Sequence, residues 1–343
     1  MMMQLLRIRA IFALAMQRLL AQPLLSSATV VGLSVAIALI LTIPIYSESV
    51  AFRILTERLV EQSENVNRPP FSYLINYIGA WHEPVEWEDT IPLDNYVQEQ
   101  FDTDLGLNTT MTVKHVETIN FRFFPADETD YTDETSLDYM TFTATENIEE
   151  HVSLVEGAFP APAAAHSDGV VEVMITRDFA DEFGIQVGNH FLAYNWRLEA
   201  DDVLQITEVQ VAGIWQPLDA TSSYWFYLPN TFNDALVIHE DTFRERIAPY
   251  SEEEINLAIW YVVTDGRGIN TNRVDELMER EINAEATIDQ LLPNASISSS
   301  PNDELKPYQR IVSVLTLTLT VFSIPIVALL IVFLLMIVGL IVD

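Results

Sequence analysis

The side chains that could do chemistry are few, and their spacing excludes more than it suggests. Six histidines stand at His82, His115, His151, His166, His190 and His239. No two have the His-x-x-x-His spacing that sets both imidazoles on one helix face toward a metal, and His82-Glu83 lacks the second histidine of a zinc-protease helix. These are expected to be ordinary surface or loop histidines. The run Asp127-Glu128-Thr129-Asp130-Tyr131-Thr132-Asp133-Glu134 offers carboxylates, which are Ca²⁺ ligands, but not the alternating Asp spacing and central glycine of an EF-hand loop. A solvated acidic loop is the expected form. No Gly-x-x-x-x-Gly-Lys segment exists to cradle a nucleotide phosphate, and no catalytic constellation, cofactor or metal site is expected. With no cysteine, disulfides and thiolate chemistry are excluded, while the redox compartment stays open. Asn108-Thr109-Thr110 and Asn294-Ala295-Ser296 fit the glycosylation pattern, which matters only in a eukaryotic secretory route.

The aromatic residues are better candidates for recognition. Trp81 and Trp87 fall in an acidic, proline-bearing stretch, where loop aromatics can present a surface to apolar cargo or to a partner protein. Tyr224-Trp225-Phe226-Tyr227 alternates and runs to Pro229, which suits a strand whose rings are core.

The elements that hold these residues follow from the distribution of charge. Residues 19–47 and 311–342 carry no charged side chain, and each is longer than the roughly 20 apolar residues that cross a bilayer. Arg7, Arg9 and Arg18 precede the first with no acid before Glu48, so the positive-inside rule puts the N-terminus in the cytoplasm and the interior of the chain outside. From Ser47 to Arg310 there are 14 basic against 49 acidic residues, a balance of −35 over 264 residues, which repels nucleic acid and anionic lipid surfaces. A cleaved signal peptide is disfavoured because Ala28–Ile45 is too long an apolar region.

The layout expected is an α+β membrane protein: two transmembrane helices with stalk extensions flanking a large mixed α/β extracytoplasmic domain of two lobes. Residues 1–23 form a cytoplasmic interfacial amphipathic helix, 24–46 the first span and 47–66 a stalk helix that ends before Asn67-Arg68-Pro69-Pro70. Residues 67–301 are the outer domain, 302–318 a returning stalk and 319–342 the second span, with Pro325 kinking it.

Inside the outer domain, strands are predicted at 71–78, 109–124 (one or two), 170–175, 190–196, 204–215 and 255–263. Helices are predicted at 93–105, closed by Gly106, at 177–183, capped by Thr176 and closed by Gly184, and at 271–292. The last should bury Val274, Leu277, Met278, Ile282, Ala286 and Leu292. Residues 125–138 read as an acidic turn.

Three segments then carry a family likeness: Val152-Ser153-Leu154-Val155-Glu156-Gly157-Ala158-Phe159-Pro160; Val171-Glu172-Val173-Met174-Ile175-Thr176 leading to Phe183-Gly184-Ile185-Gln186-Val187-Gly188-Asn189; and Val209-Gln210-Val211-Ala212-Gly213-Ile214-Trp215. Together, and in this order between two spans, they resemble the extracytoplasmic domain of MacB/FtsX-like permeases, the mechanotransmission type of ABC transporter. Gly157, Gly184, Gly188 and Gly213 are the family-like turn glycines, and Asn189 stands where the family usually has Asp. The resemblance implies a permease in the cell (inner) membrane, multi-pass, that is not itself an enzyme. Its partners would be a cytoplasmic ABC ATPase subunit, a second permease half or copy, and membrane lipid, with no nucleic acid. The outer domain would turn ATP-driven motion into export, lipid or lipoprotein extraction, or hydrolase activation. Family permeases have further spans after the second, so this chain is expected to be the N-terminal half of a longer or split permease. A two-span sensor with a ligand-binding outer domain fits the same membrane layout; an anchored enzyme would need a polar site that the sequence does not offer.

Overall fold

The structure is a computed structural model describing residues 68–69, 71–82, 85–162, 169–196, 206–248, 255–267, 269 and 273–342, with scattered positions between 27 and 57, each of them helical. Arg7, Arg9, Arg18 and the interfacial helix expected over 1–23 lie outside the described residues. The chain divides into two compact units, residues 57–304 and residues 1–56 with 305–343.

Residues 57–304 are built on one sheet of ten strands. These are β1 (Ser72–Ile78), β2 (Thr109–Pro125), β3 (Asp138–Thr145), β4 (Val152–Gly157), β5 (Val171–Thr176), β6 (His190–Tyr194), β7 (Ile206–Pro217), β8 (Ala235–Val237), β9 (Leu257–Thr264) and β10 (Ser296–Ser299). The helices are α1 (Trp87–Glu99), α2 (Phe101–Leu105), α3 (Arg177–Phe183) and α4 (Val274–Leu291). The strand order is β10-β1-β9-β2-β3-β8-β5-β7-β4, and β6 pairs with both β2 and β7. That last pairing closes a circuit, β2-β3-β8-β5-β7-β6, so β10-β1-β9-β2 is an open antiparallel sheet and the rest is a ring. β2 belongs to both.

The open sheet is covered on two faces, which is why β1 and β9 are apolar nearly throughout rather than alternating. On one face Tyr73 meets Phe101 of α2, with ring centroids 5.7 Å apart and edge to face. On the other, Leu74, Val113, Ile259 and Tyr261 pack with Tyr224, Trp225, Phe226 and Phe232. The aromatic run is thus core, as its composition suggested, but it is a turn rather than a strand. The turn is fixed by side-chain-to-backbone bonds: Tyr261 Oη donates to Ser223 O at 3.0 Å, while its own Tyr224 Oη donates to Glu146 O at 2.8 Å and its Trp225 Nε1 to Asp219 O at 3.0 Å.

The ring is filled by alternate residues of its strands. Phe123 stacks on Phe191 at 4.6 Å and Phe121 meets Phe142 at 5.1 Å, while Val173 and Val211 are fully buried. Contact between β8 and β5 is a single register pair, Met174↔Val237.

Several boundaries differ from the sequence reading. α1 begins at Trp87, not Leu93, because Glu86 and Asp89 form a capping box in which Asp89 Oδ2 accepts the Glu86 N–H at 3.2 Å. β2 is one strand of 17 residues. β3, β4, β8 and β10 were not foreseen. On α4 the buried stripe is Val274, Leu277, Ala284 and Ile288, and Ile282 is exposed, as is Ala286. Val274, Leu277 and Leu292 are buried as expected and Met278 is half-buried, so the expected face fails only at Ile282 and Ala286; the neighbouring Glu281 is half-buried and accepts from Ser300 Oγ at 2.8 Å.

The final helix, α5 (Asn302–Val342), is a single element of 41 residues with Pro307 and Pro325 inside it. Its stretch Gln309–Phe333 is, among the described residues, the one helix long and apolar enough to cross a membrane, at a mean hydropathy of 2.5. The helix runs through both the segment expected as stalk, 302–318, and the segment expected as span, 319–342.

Candidate functional site

β1 ends at Ile78, and a single 3-10 turn, Gly79–Trp81, follows. The Gly79 N–H donates to Asn256 O at 2.7 Å, and a Cβ at Gly79 would lie 2.7 Å from Ile255 O. The turn is pinned to the start of β9 by this approach, and Trp81 projects from it 75% exposed. Trp81 forms one wall of a cleft of about 880 Å³ with Tyr77, His82, Pro92, Leu291 and Pro293, and Glu88 and Asp89 add two carboxylates. The cleft lies at the Ile78 end of β1, opposite the end where the chain enters at Ser72. β10 runs antiparallel, so its Ser296 start is at the cleft end and its Ser299 finish at the other. This arrangement can stack on a planar or apolar group and pair with a positive one. It offers no nucleophile–base pair.

Trp87, expected beside Trp81 as a second loop aromatic, is instead core: 4% exposed, the first residue of α1, with its ring 5.7 Å from Phe243. Lys114 Nζ sits 4.1 Å above that ring and pairs with Asp94, which also accepts from Trp260 Nε1. The Lys114 and Asp94 side chains are only 12% and 18% exposed. This polar node fastens α1 to β2 and β9. No signal in the sequence announced it, because its three members lie far apart in the chain.

The family-like glycines meet real backbone constraints. Gly157 and Gly213 are register partners on β4 and β7. Gly157 has φ +83°, and a Cβ there would stand 2.0 Å from Ala212 O; one on Gly213 would stand 2.5 Å from Ala158 O. Gly184 closes α3 in the left-handed region, and Gly188 (φ +87°) begins the turn into β6. Asn189, in the Asp position, accepts the Gln186 N–H through Oδ1 at 2.8 Å, the bond either residue would make.

Not every histidine is superficial. His115 is 1% exposed, with Nδ1 2.7 Å from Thr145 Oγ1 and Nε2 2.7 Å from Glu117 Oε1. Alternation on β2 puts His115 and Glu117 on one face, and Thr145 is the cross-strand partner of His115 on β3. His151 stacks on Tyr224 at 3.7 Å, and burial holds its pKa below the ordinary imidazole value against the opposing charge of Glu150. The Glu146 carboxyl is pushed up, first by burial, despite accepting the Lys114 N–H at 3.2 Å.

The acidic loop is folded on itself. Glu128 Oε1 accepts the N–H groups of Thr129 and Asp130 at 2.8 and 2.9 Å, which lowers its pKa, and Asp133 pairs with Arg122 at 2.7 Å. Among the described residues no three metal-ligating side chains are gathered. Asn108 Nδ2 lies 3.4 Å from Asp265 Oδ2, and Asn294 adopts φ +70° in the turn at the Trp81 cleft.

No family model matches the chain, and no curated protein is similar to it. Among solved structures, a domain of a candidate permease protein from Porphyromonas gingivalis is similar at 12% identity and a TM-score of 0.30, over 66% of this chain and 87% of that one. Likeness at that level carries no argument of its own.

Proposed function

We propose that this chain is the N-terminal half of a MacB/FtsX-like ABC transporter permease, a multi-pass protein of the cell membrane. In this reading a cytoplasmic ATPase subunit drives its helices, and residues 57–304 deliver the motion outside for export, extraction or hydrolase activation. The observation that carries the reading is α5. A helix of 41 residues is roughly 60 Å long, about twice the hydrocarbon thickness of a bilayer. Its side chains at Leu317, Phe322, Leu329 and Leu335 are 65–74% exposed, a cost in water that lipid or a second helix removes. The other end is anchored differently: Asn302 is buried, and its side chain donates to Leu277 O on α4 at 3.4 Å. The helix continues through Pro307 and Pro325, so in this reading displacement of its apolar part is passed along it toward residues 57–304 without substrate crossing the bilayer. The family-like glycine turns support the same assignment, Gly157 and Gly213 by their close backbone approach.

The test uses the protein in its native membrane. Crosslinking followed by purification should recover an ABC ATPase and a second permease polypeptide or copy. Because the chain lacks cysteine, single-Cys variants give clean topology: Glu128→Cys should react with a membrane-impermeant maleimide on intact cells, and Arg9→Cys only after lysis. Recovery of a histidine kinase or methyl-accepting protein in place of the ATPase, or labelling with the opposite polarity, overturns the proposal.

A further inference from the structure

Beneath the aromatic turn is a cavity of about 310 Å³, separate from the Trp81 cleft. Four rings line it, those of His115, Phe226, Tyr227 and Phe232, with Leu257 beside them and a single charged group, the Glu117 carboxylate. The rings are tilted steeply: Phe226 lies 4.9 Å from His115 at 56° and 5.1 Å from Tyr227 at 61°, and Phe232 lies 5.5 Å from His115 at 75°. Thr231, also in the wall, spends its hydroxyl hydrogen on Leu228 O at 2.8 Å.

Glu117 is set in place rather than free to swing. Its Oε1 is 2.7 Å from His115 Nε2, and His115 is tied in turn to Thr145, so the carboxylate has a fixed position with 27% of the side chain exposed. The rings of Phe226, Tyr227 and Phe232 beside one immobilised carboxylate suit a cation, which gains from both a ring quadrupole and the formal charge. An apolar ligand of the same size would strip water from that carboxylate without replacing its interactions, which is unfavourable. An anion would meet it as a like charge. Arg68 is the cation felt at the Tyr227 phenol, but it is not among the lining residues. The chain's net charge of −33 adds a general attraction for positive ligands. The volume is at the lower end of small-molecule sites, which run from about 300 to 1,000 Å³, so the bound group is small.

We propose that this cavity binds a small ammonium group, quaternary or protonated, whether on a free amine or on a phospholipid headgroup. The proposal stands on the cavity alone and is independent of the permease assignment.

Titration calorimetry on the full chain in a maltoside detergent tests it with choline and with its neutral carbon isostere, 3,3-dimethylbutan-1-ol. Choline should bind at least about tenfold more tightly than the isostere. Glu117→Gln, which keeps the shape and removes the charge, should weaken choline by a similar factor, and Tyr227→Leu should weaken it too. Unchanged thermal melts of both variants would establish that they fold. Lipid retention then separates the two sources. If phosphatidylcholine carried through purification from nanodiscs is lost in Glu117→Gln, the headgroup is a ligand; if retention is unaltered while choline binding falls, the ligand is a free amine. Equal affinity for choline and the isostere overturns the proposal. So does undiminished choline binding by Glu117→Gln, or an absence of binding heat up to about 10 mM choline.

Discussion

The open sheet β10-β1-β9-β2 and the closed ring β2-β3-β8-β5-β7-β6 share a strand yet are stabilised by different means. In the ring, strands satisfy one another around a circuit, and the backbones of β4 and β7 approach so closely beside it that Gly157 and Gly213 admit no side chain. Its buried side chains are apolar, Phe121, Phe123, Phe142 and Phe191 with Met140, Val173, Ala193 and Val211. In the open sheet both faces need cover, and the cover is made of side chains reaching in from helices and turns. Buried ionisable groups collect there: Lys114 with Asp94 and Trp260, His115 with Glu117 and Thr145. The Trp81 cleft and the cavity beside Glu117 belong to that region as well. A cleft of about 500 Å³ also lies against the ring, between Thr176, Trp215, Pro217, Leu228 and Asn233, so the two regions differ in their buried ionisable groups rather than in which of them has room for a ligand.

If this division is real, substitutions in the two regions should fail differently. Gly157→Ala should be the most damaging single change, at about 3–5 kcal/mol, because it adds a clash with the Ala212 carbonyl to the strain of a positive φ. Gly184→Ala, with nothing within 4 Å of its Cβ, should cost only about 1 kcal/mol. Chemical denaturation of both variants checks the contrast, and equal costs would remove the close-approach argument. In the open sheet, Lys114→Ala should cost about 3 kcal/mol by leaving Asp94 short of its countercharge. Adding Asp94→Leu to that variant should recover most of the loss; if it does not, the node is more than a charge pair.

The α4 face makes a finer comparison. Ile288→Ala should cost about 2–4 kcal/mol and Ile282→Gln less than about 0.5, and thermal melts that reversed this order would contradict the buried stripe. The smallest effect concerns pH. Burial raises the Glu146 pKa in the folded protein, so the folded state holds the proton over a range where the unfolded chain releases it. Stability should therefore fall as pH rises from the unfolded carboxyl pKa through the folded one. Glu146→Gln should be the more stable protein at pH 7 and lose that advantage as pH drops below the ordinary glutamate range. Urea midpoints measured at both pH values would show it.

Sequence patterning revealed these regions unequally. Part of the ring was announced by local signals, since Thr176 caps α3, Gly184 closes it and β5 and β7 are rich in β-branched residues, whereas β3 and β8 of the same ring were not. β8 and β10 were silent because strands of three and four residues have too little length to show a period. In the open sheet the side chains that define the candidate site are contributed across long separations. Trp81 could be singled out as an aromatic in a proline-bearing stretch, and it is indeed exposed. Trp87, six residues later in the same kind of context, is buried, because a Glu–Asp capping box starts a helix where Ser or Thr would have been the expected sign. His115 and Glu117 are two apart, but their partner Thr145 is supplied by strand register, which composition does not encode.

β2 has one more consequence. Seventeen residues of strand reach roughly 55 Å, and the hydrogen bonds to β9, β3 and β6 run perpendicular to that length. A tension applied along β2 would load these rungs in shear, all together, instead of opening them one by one as a zipper. β2 is therefore a shear-loaded connection between the open sheet and the ring, as a tendon ties muscle to bone.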